Sequence, residues 1–270
     1  MASATLVARV APPALLGSGR ALRLVERNLK VYRRPWLIIF SGFFEPFFYL
    51  LSIGVGVGAL VGHVVGPGGQ AVDYRAFVAP ALLASSAMNG AIYDSTMNVF
   101  FKLKYAKVYE AVLATPVSVA DVALGEVGYA LLRGGAYAVV FLCVMLAMGL
   151  VASWWAVLAV PAAILIGFAF AGAGLAATSY MKSWQDFDLV QLAILPLFLF
   201  SATFYPLSTY PRGVRLLVRV TPLYQGVALL RGLTLGHVGP ATLGHVLYLA
   251  VMGAIGLRIA TRRLGRLLQP

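Results

Sequence analysis

Charge is what this sequence has least of. Of its 270 residues, 11% are Asp, Glu, Lys or Arg, about half the usual share of a globular chain. That excludes a domain wrapped on all sides in solvated ionic side chains. Cysteine is rarer still. Cys143 stands alone in an apolar run, so the chain forms no internal disulfide and has no Cys/His cluster at metal-ligand spacing. Lysine is scarce, and none of the five follows a glycine. This removes the Gly-x-x-x-x-Gly-Lys-Ser/Thr loop and ATP hydrolysis by that route. Neither Gly-x-Ser-x-Gly nor His-Glu-x-x-His occurs, so the two commonest hydrolase signatures are absent. His63, His237 and His245 are isolated from one another, and no filter-like carbonyl motif or ring of charge marks a channel.

What is present is apolar side chain, 61% of the sequence. A soluble domain of this size does not need so much, whereas helices whose outer surface meets lipid do. The formal net charge of +12 does not mark a nucleic-acid partner, because the basic residues sit at the chain ends and in short loops rather than in a basic domain. Residues 1–19 are rich in Ala, Pro and Gly. They lack a signal-type apolar core and are expected to form a flexible cytoplasmic tail.

A span needs about 20 mostly apolar residues. Six runs qualify, at about 36–61, 76–100, 122–150, 154–180, 189–205 and 243–259. With both termini in the cytoplasm, fifteen Lys or Arg fall in cytoplasmic segments and five, Arg75, Arg212, Arg215, Arg219 and Arg231, in outer ones. That bias favours this orientation. Before the first span, Leu22, Val25, Leu29 and Tyr32 recur at helical spacing opposite Arg20, Arg23, Arg27, Lys30 and Arg34. The pattern predicts an amphipathic helix on an anionic leaflet, with a simple stop-transfer flank as the alternative.

Four segments do not read as passive spans. Glu45-Pro46 places a carboxylate and a helix-breaking imino acid inside the first span. Such a carboxylate needs a partner or an aqueous face; an ion pair with Arg33 or Arg34 and a place in a pathway are both open. Gly54, Gly58, Gly62 and Gly66 then repeat every four residues, a spacing that lets helices approach closely. In the second span, Ser85, Asn89, Tyr93 and Thr96 share one side, with Ser86, Gly90, Asp94 and Asn98 beside them. Such a stripe must face protein or water. Either it lines a translocation pathway or it is hydrogen-bonding glue between helices. Segment 101–121 predicts a short cytoplasmic helix over 103–114, basic at its start through Lys102, Lys104 and Lys107 and ended by Thr115-Pro116, after which Ser118 to Asp121 cap the next helix. Segment 206–240 is broken by Pro206, Pro211, Pro222 and Pro240, and its apolar stretch from Tyr224 to Leu235 is too short to span. It predicts re-entrant or interfacial helices with a basic face of Arg212, Arg215 and Arg219.

Four blocks carry a family resemblance. They are residues 43–56, residues 74–84, the stretch from Tyr109 that ends Leu-Ala-Thr-Pro-Val-Ser at 118, and Pro-Leu-Tyr-Gln-Gly-Val-Ala-Leu-Leu-Arg-Gly-Leu at 222–233. In that order the chain resembles the permease subunits of type-2 ABC exporters, in particular the NodJ-like and antibiotic-resistance branch, from residue 20 onward. The resemblance implies an all-α integral membrane domain of six transmembrane helices, with an N-terminal amphipathic interfacial helix, a cytoplasmic coupling helix and outer re-entrant helices before the last span. It implies two permease subunits, identical or paralogous, in a bacterial plasma membrane, paired with cytoplasmic ABC ATPase subunits that hold the ATP and Mg; this chain itself carries no cofactor, metal or catalytic residue. The coupling contact would comprise Lys104, Tyr105, Lys107, Val108, Tyr109, Glu110, Leu113, Thr115 and Pro116. The pathway would be lined by Glu45, Ser85, Asn89, Tyr93 and Asp94, and the re-entrant segment would include Pro222, Tyr224 and Arg231. The loop at 180–188, with Lys182, Asp186 and Asp188, is a further place for an ATPase contact. The expected cargo is an amphiphilic drug or antibiotic; a lipid-linked saccharide or lipo-oligosaccharide is the sibling reading, and a non-transporting membrane scaffold the reading from another class.

Overall fold

The computed structural model of the chain describes residues 13–32, 44 and 46–268. Its elements are helices α1 (Pro13–Tyr32), α2 (Pro46–Val61), α3 (Tyr74–Lys104), α4 (Val108–Leu113), α5 (Val119–Ala147), α6 (Trp154–Thr178), α7 (Asp186–Leu199), α8 (Arg212–Val220), α9 (Pro222–Leu235) and α10 (Pro240–Leu268). A hairpin of β1 (His63–Val65) and β2 (Ala71–Asp73) joins α2 to α3, with His63 opposite Asp73.

Four of these helices, α3, α5, α6 and α10, are long and apolar enough to cross a membrane. They match the predicted second, third, fourth and sixth spans. The predicted first span is represented by the shorter α2; Glu45 lies outside the described residues, as do residues 1–12. The predicted fifth span is the 14-residue α7, about 21 Å long. It ends at Leu199 rather than continuing to 205, because residues 201–205 leave the helix and Ser201, Ala202 and Thr203 are buried against other elements.

The helices close on small residues. A Cβ added at Gly172 of α6 would sit 2.5 Å from the Gly253 carbonyl oxygen of α10, and one at Gly256 would sit 2.5 Å from the Gly172 carbonyl carbon. Backbones in van der Waals contact are how apolar helices associate when lipid offers no hydrophobic drive. The predicted packing motif lies elsewhere. Gly62 ends α2 with φ 67°, and Gly66 belongs to the hairpin turn, so the four-residue glycine repeat stops being helical halfway. Gly54 and Gly58 approach only flexible side chains of Leu50, Tyr74 and Arg75.

Helix α1 packs sideways onto α5. A Cβ at Gly125 would lie 2.7 Å from the Leu24 Cβ and 3.1 Å from the Ala21 carbonyl oxygen. The buried positions are Leu24 and Asn28, while Leu22 and Leu29 are exposed. The predicted apolar stripe is thus split: Leu22 and Leu29 face outward, while Val25 is half-buried beside Gly128 of α5. The inward face is fixed by polar chemistry: Asn28 Nδ2 donates to Glu126 Oε2 at 3.1 Å, and Lys102 Nζ donates to the same oxygen at 2.7 Å and to Asn28 Oδ1 at 3.3 Å. Lys102 therefore belongs to a buried cluster joining α1, α3 and α5, not to a basic surface.

Two ends are distinct. At one, α1 and α4 border a common space, and the Arg263 guanidinium of α10 stacks 4.0 Å from the Tyr180 ring centroid. At the other, the hairpin meets the loop after α9, Gln70 hydrogen-bonding His237, and Ala152 N donates to Thr234 O.

Candidate functional site: a polar groove and two helix ends

The polar stripe of α3 opens into a groove. Its larger chamber, about 480 Å³, is lined by Ser86, Asn89, Tyr93 and Thr96 of α3, Arg133 and Tyr137 of α5, and Gln191 of α7, with apolar neighbours. A second chamber of about 250 Å³ adds Tyr49, Ser85 and Phe198 and shares Ser86, Asn89, Gln191 and Ile194 with the first. The two thus meet at Asn89, which lies in the wall of both. Asn89 Oδ1 is buried and finds no hydrogen-bond partner among the described residues. A buried amide oxygen left bare is costly unless water or a ligand reaches it.

A third space lies on the other side of α7. It measures about 790 Å³, is bounded by apolar groups such as Phe170, Ala173, Leu189, Ala193 and Leu197, and shares Ile92, Thr96, Val190 and Ile194 with the polar chamber. Helix α7 is thus the wall between a polar and an apolar space. Leu192 and Leu199, which line neither space, are exposed.

The predicted lining residues separate into two groups. Ser85, Asn89 and Tyr93 line the groove, although the Ser85 hydroxyl donates back to Ala81 O at 2.9 Å. Asp94 does not line it. Residues Asp94–Asn98 form a π-helical turn, which adds a residue to the turn and breaks the 3.6 periodicity on which the stripe was drawn. Asp94 is rotated into the bundle, accepts from Asn98 Nδ2 at 2.7 Å, and pairs with Arg133 at 3.1 Å. Arg133 is the group that borders the groove. Gln191 escaped the sequence reading because a single Gln in an apolar run carries no periodic signal.

The predicted coupling segment is also partly redrawn. Its helix is α4, Val108–Leu113, not 103–114. Lys107 at its N-cap has φ 46°, so the chain turns sharply there, and Lys102 and Lys104 close α3 instead. Lys104, Tyr105, Lys107, Glu110, Thr115 and Pro116 are exposed, Val108 and Leu113 are half-buried, and Tyr109 is 1% exposed. Tyr109 anchors the turn and is not available to a partner. The following helix starts as predicted: Ser118 Oγ accepts from Asp121 N at 3.1 Å, and Asp121 Oδ2 accepts from Ser118 N at 2.9 Å, a reciprocal capping box. The loop at 180–188 is tied by Asp186, which accepts from the backbone N–H groups of Lys182 and Ser183 at 2.7 and 3.1 Å.

The predicted re-entrant segment forms two helices, α8 and α9. Pro222 opens α9, where its missing N–H is no loss. Tyr224 is partly buried. Arg231, 6% exposed, donates through Nε to Phe77 O at 3.1 Å and through Nη2 to Ala202 O at 3.0 Å, and stacks 3.6 Å from the Phe77 ring centroid. It clamps α9 to α3 and to the chain after α7 without any carboxylate.

This arrangement is an all-α membrane domain, and the chain matches the ABC-2 type transporter family over residues 21–235. It belongs to that family as the membrane component, not the nucleotide-binding subunit. Within the family it is similar to nodulation protein J: 30% identity to that of Rhizobium leguminosarum bv. trifolii, over 93% of this chain and 94% of the relative. Identity is 28% to that of Rhizobium meliloti strain 1021, over 91% and 92%, and 29% to that of Sinorhizobium fredii, over 85% and 87%. The NodJ-like resemblance therefore holds along nearly the whole chain.

Proposed function

We propose that this chain is the permease subunit of an ATP-driven exporter in the bacterial plasma membrane, and that it moves an amphiphile whose head is rich in hydroxyl or amide groups. The observation that carries the reading is the bare Asn89 Oδ1 at the junction of the two polar chambers. Around it, Ser86, Thr96, Gln191, Tyr93 and Tyr137 offer donors, acceptors and ring faces. The apolar space across α7 would take an acyl or similar tail. Of the two cargo readings, this lining favours the lipid-linked saccharide or lipo-oligosaccharide over a drug, whose flat apolar body would leave the amides unpaired. Similarity to nodulation protein J is compatible with that choice. A pure scaffold has no use for a solvated groove.

ATP binding and hydrolysis belong, in this reading, to a separate ABC ATPase seated on α4 through Lys107, Glu110, Thr115 and Pro116, in a complex with a second permease subunit. Both termini and α4 would then be cytoplasmic, and the hairpin, α8 and α9 would face outward.

Two measurements test it. With Cys143 replaced by Ser, Asn89→Cys and Gln191→Cys should react with an aqueous thiol reagent in the assembled complex; no reaction at either position with or without ATP sinks the pathway. The chain, expressed with its neighbouring genes, should bring down a P-loop ATPase. Purification as a stable lone monomer counts against the assembly.

A further inference from the structure

Every ionised side chain after Asp188 is an arginine. Four of these arginines, Arg212, Arg215, Arg219 and Arg231, fall at the hairpin end of the fold. The carboxylate described at that end is Asp73, and it is taken: it accepts from Arg75 N at 2.7 Å and Nε at 3.2 Å, with the Arg75 Nη2 at 3.1 Å. The local charge is therefore uncompensated, and it is gathered in one place. A cavity of about 770 Å³ is lined by Arg215, Arg219 and Arg231 together with His237, His245 and Tyr224, and no carboxylate is in its wall.

Two of the three guanidinium groups there are held by backbone carbonyls, and the set is not saturated. Arg231 is fixed by backbone carbonyls, as described above. Arg215 Nη2 donates to Ser208 O at 2.8 Å and Tyr210 O at 3.1 Å, while its Nε is buried with no acceptor. Arg219 has no side-chain hydrogen bond or ion pair among the described residues. Three like charges facing one space repel, and a buried donor without a partner is unfavourable. An anion with several acceptor oxygens relieves both.

We propose that this cavity binds the phosphodiester head group of an anionic phospholipid. Guanidinium forks match phosphate oxygens in geometry as well as charge. The lipid source follows from α8. Leu216, Leu217 and Val220 are 65%, 72% and 67% exposed beside the arginines, so the helix presents an apolar face that beds in a membrane interface and sets the cavity mouth at head-group depth. The site goes beyond the export reading and does not depend on cargo, direction or ATPase.

The test uses the assembled complex in detergent, titrated with short-chain phosphatidylglycerol or phosphatidylcholine and, separately, with inorganic phosphate. Arg219→Gln and Arg212→Gln form a matched pair. Both arginines are exposed, lie on α8 and have no side-chain partner among the described residues, but only Arg219 lines the cavity. Phosphatidylglycerol should bind at least about tenfold more tightly than phosphatidylcholine, and R219Q should weaken it by about tenfold, while R212Q leaves it within about twofold. Equal binding of the two lipids, or equal effects of R219Q and R212Q, overturns the proposal. Competition by millimolar inorganic phosphate without any preference between the lipids overturns the assignment to a lipid. Unchanged melting temperature in R219Q shows that its loss of binding is not loss of fold.

Discussion

Removing Arg133 should cost more than removing the acid it pairs with. The two side chains lie 3.1 Å apart, with 16% of Arg133 and 4% of Asp94 exposed. Arg133 borders a polar groove and stacks near Tyr137, 5.7 Å from its centroid, so water can reach its head when the partner is lost. Asp94 has no such route, and its Oδ2 already lacks a hydrogen bond. Breaking a buried pair typically costs about 3–5 kcal/mol, because the survivor is left uncompensated. Arg133→Gln should sit in that range. Asp94→Asn keeps an oxygen for the Asn98 amide and strands only a hydratable cation, so about 1–2 kcal/mol is expected. At about 2–4 °C per kcal/mol for a chain of this size, Arg133→Gln lowers the melting temperature by roughly 10 °C and Asp94→Asn by a few degrees. The double variant should recover most of the loss, since neither charge remains. Fluorescence-detected melting of detergent-purified protein measures all three. A larger loss for Asp94→Asn, or a double variant worse than both singles, refutes the asymmetry.

Five further outcomes follow. Gly172→Leu should abolish a monodisperse size-exclusion peak, because its Cβ already meets the Gly253 carbonyl at 2.5 Å. Gly58→Ala, whose Cβ meets flexible Arg75 at 3.4 Å, should change the melting temperature by no more than a degree or two. Glu126→Gln removes the anion shared by Lys102 and Asn28 and should speed tryptic cleavage within α1 by about tenfold; unchanged cleavage would mean that Leu24 packing alone holds that helix. Tyr109→Ala should cost about 3–5 kcal/mol by emptying a buried site. Lys107→Glu, on an exposed side chain, should leave stability within about 0.5 kcal/mol and lower ATPase co-purification.

Much of the architecture was readable before any coordinates. Apolar runs of membrane length located α3, α5, α6 and α10 because length and composition alone set what spans a bilayer. The Ser118 and Asp121 spacing gave the start of α5, and the prolines at 211 and 222 marked the starts of α8 and α9, because caps and imino acids act within a few residues of themselves. Of the polar stripe of α3, Ser85, Asn89, Tyr93 and Thr96 all border the groove.

Beyond that point a local pattern was not enough. The π-turn at Asp94–Asn98 breaks the regular register of α3: Asp94 pairs with Arg133 and Lys102 with Glu126, while Thr96 still borders the groove. The glycines that hold helices together, Gly172, Gly253 and Gly256, form no repeat within one segment; their match exists only when α6 and α10 cross. Gln191 acquires a role only because α7 brings it beside Asn89. The sequence by itself determined that this chain lives in a membrane and where its long apolar helices lie. Tertiary structure decided which polar groups pair with each other and which face empty space. That choice is not local, since the partners of Asp94, Glu126 and Arg231 include groups on other elements.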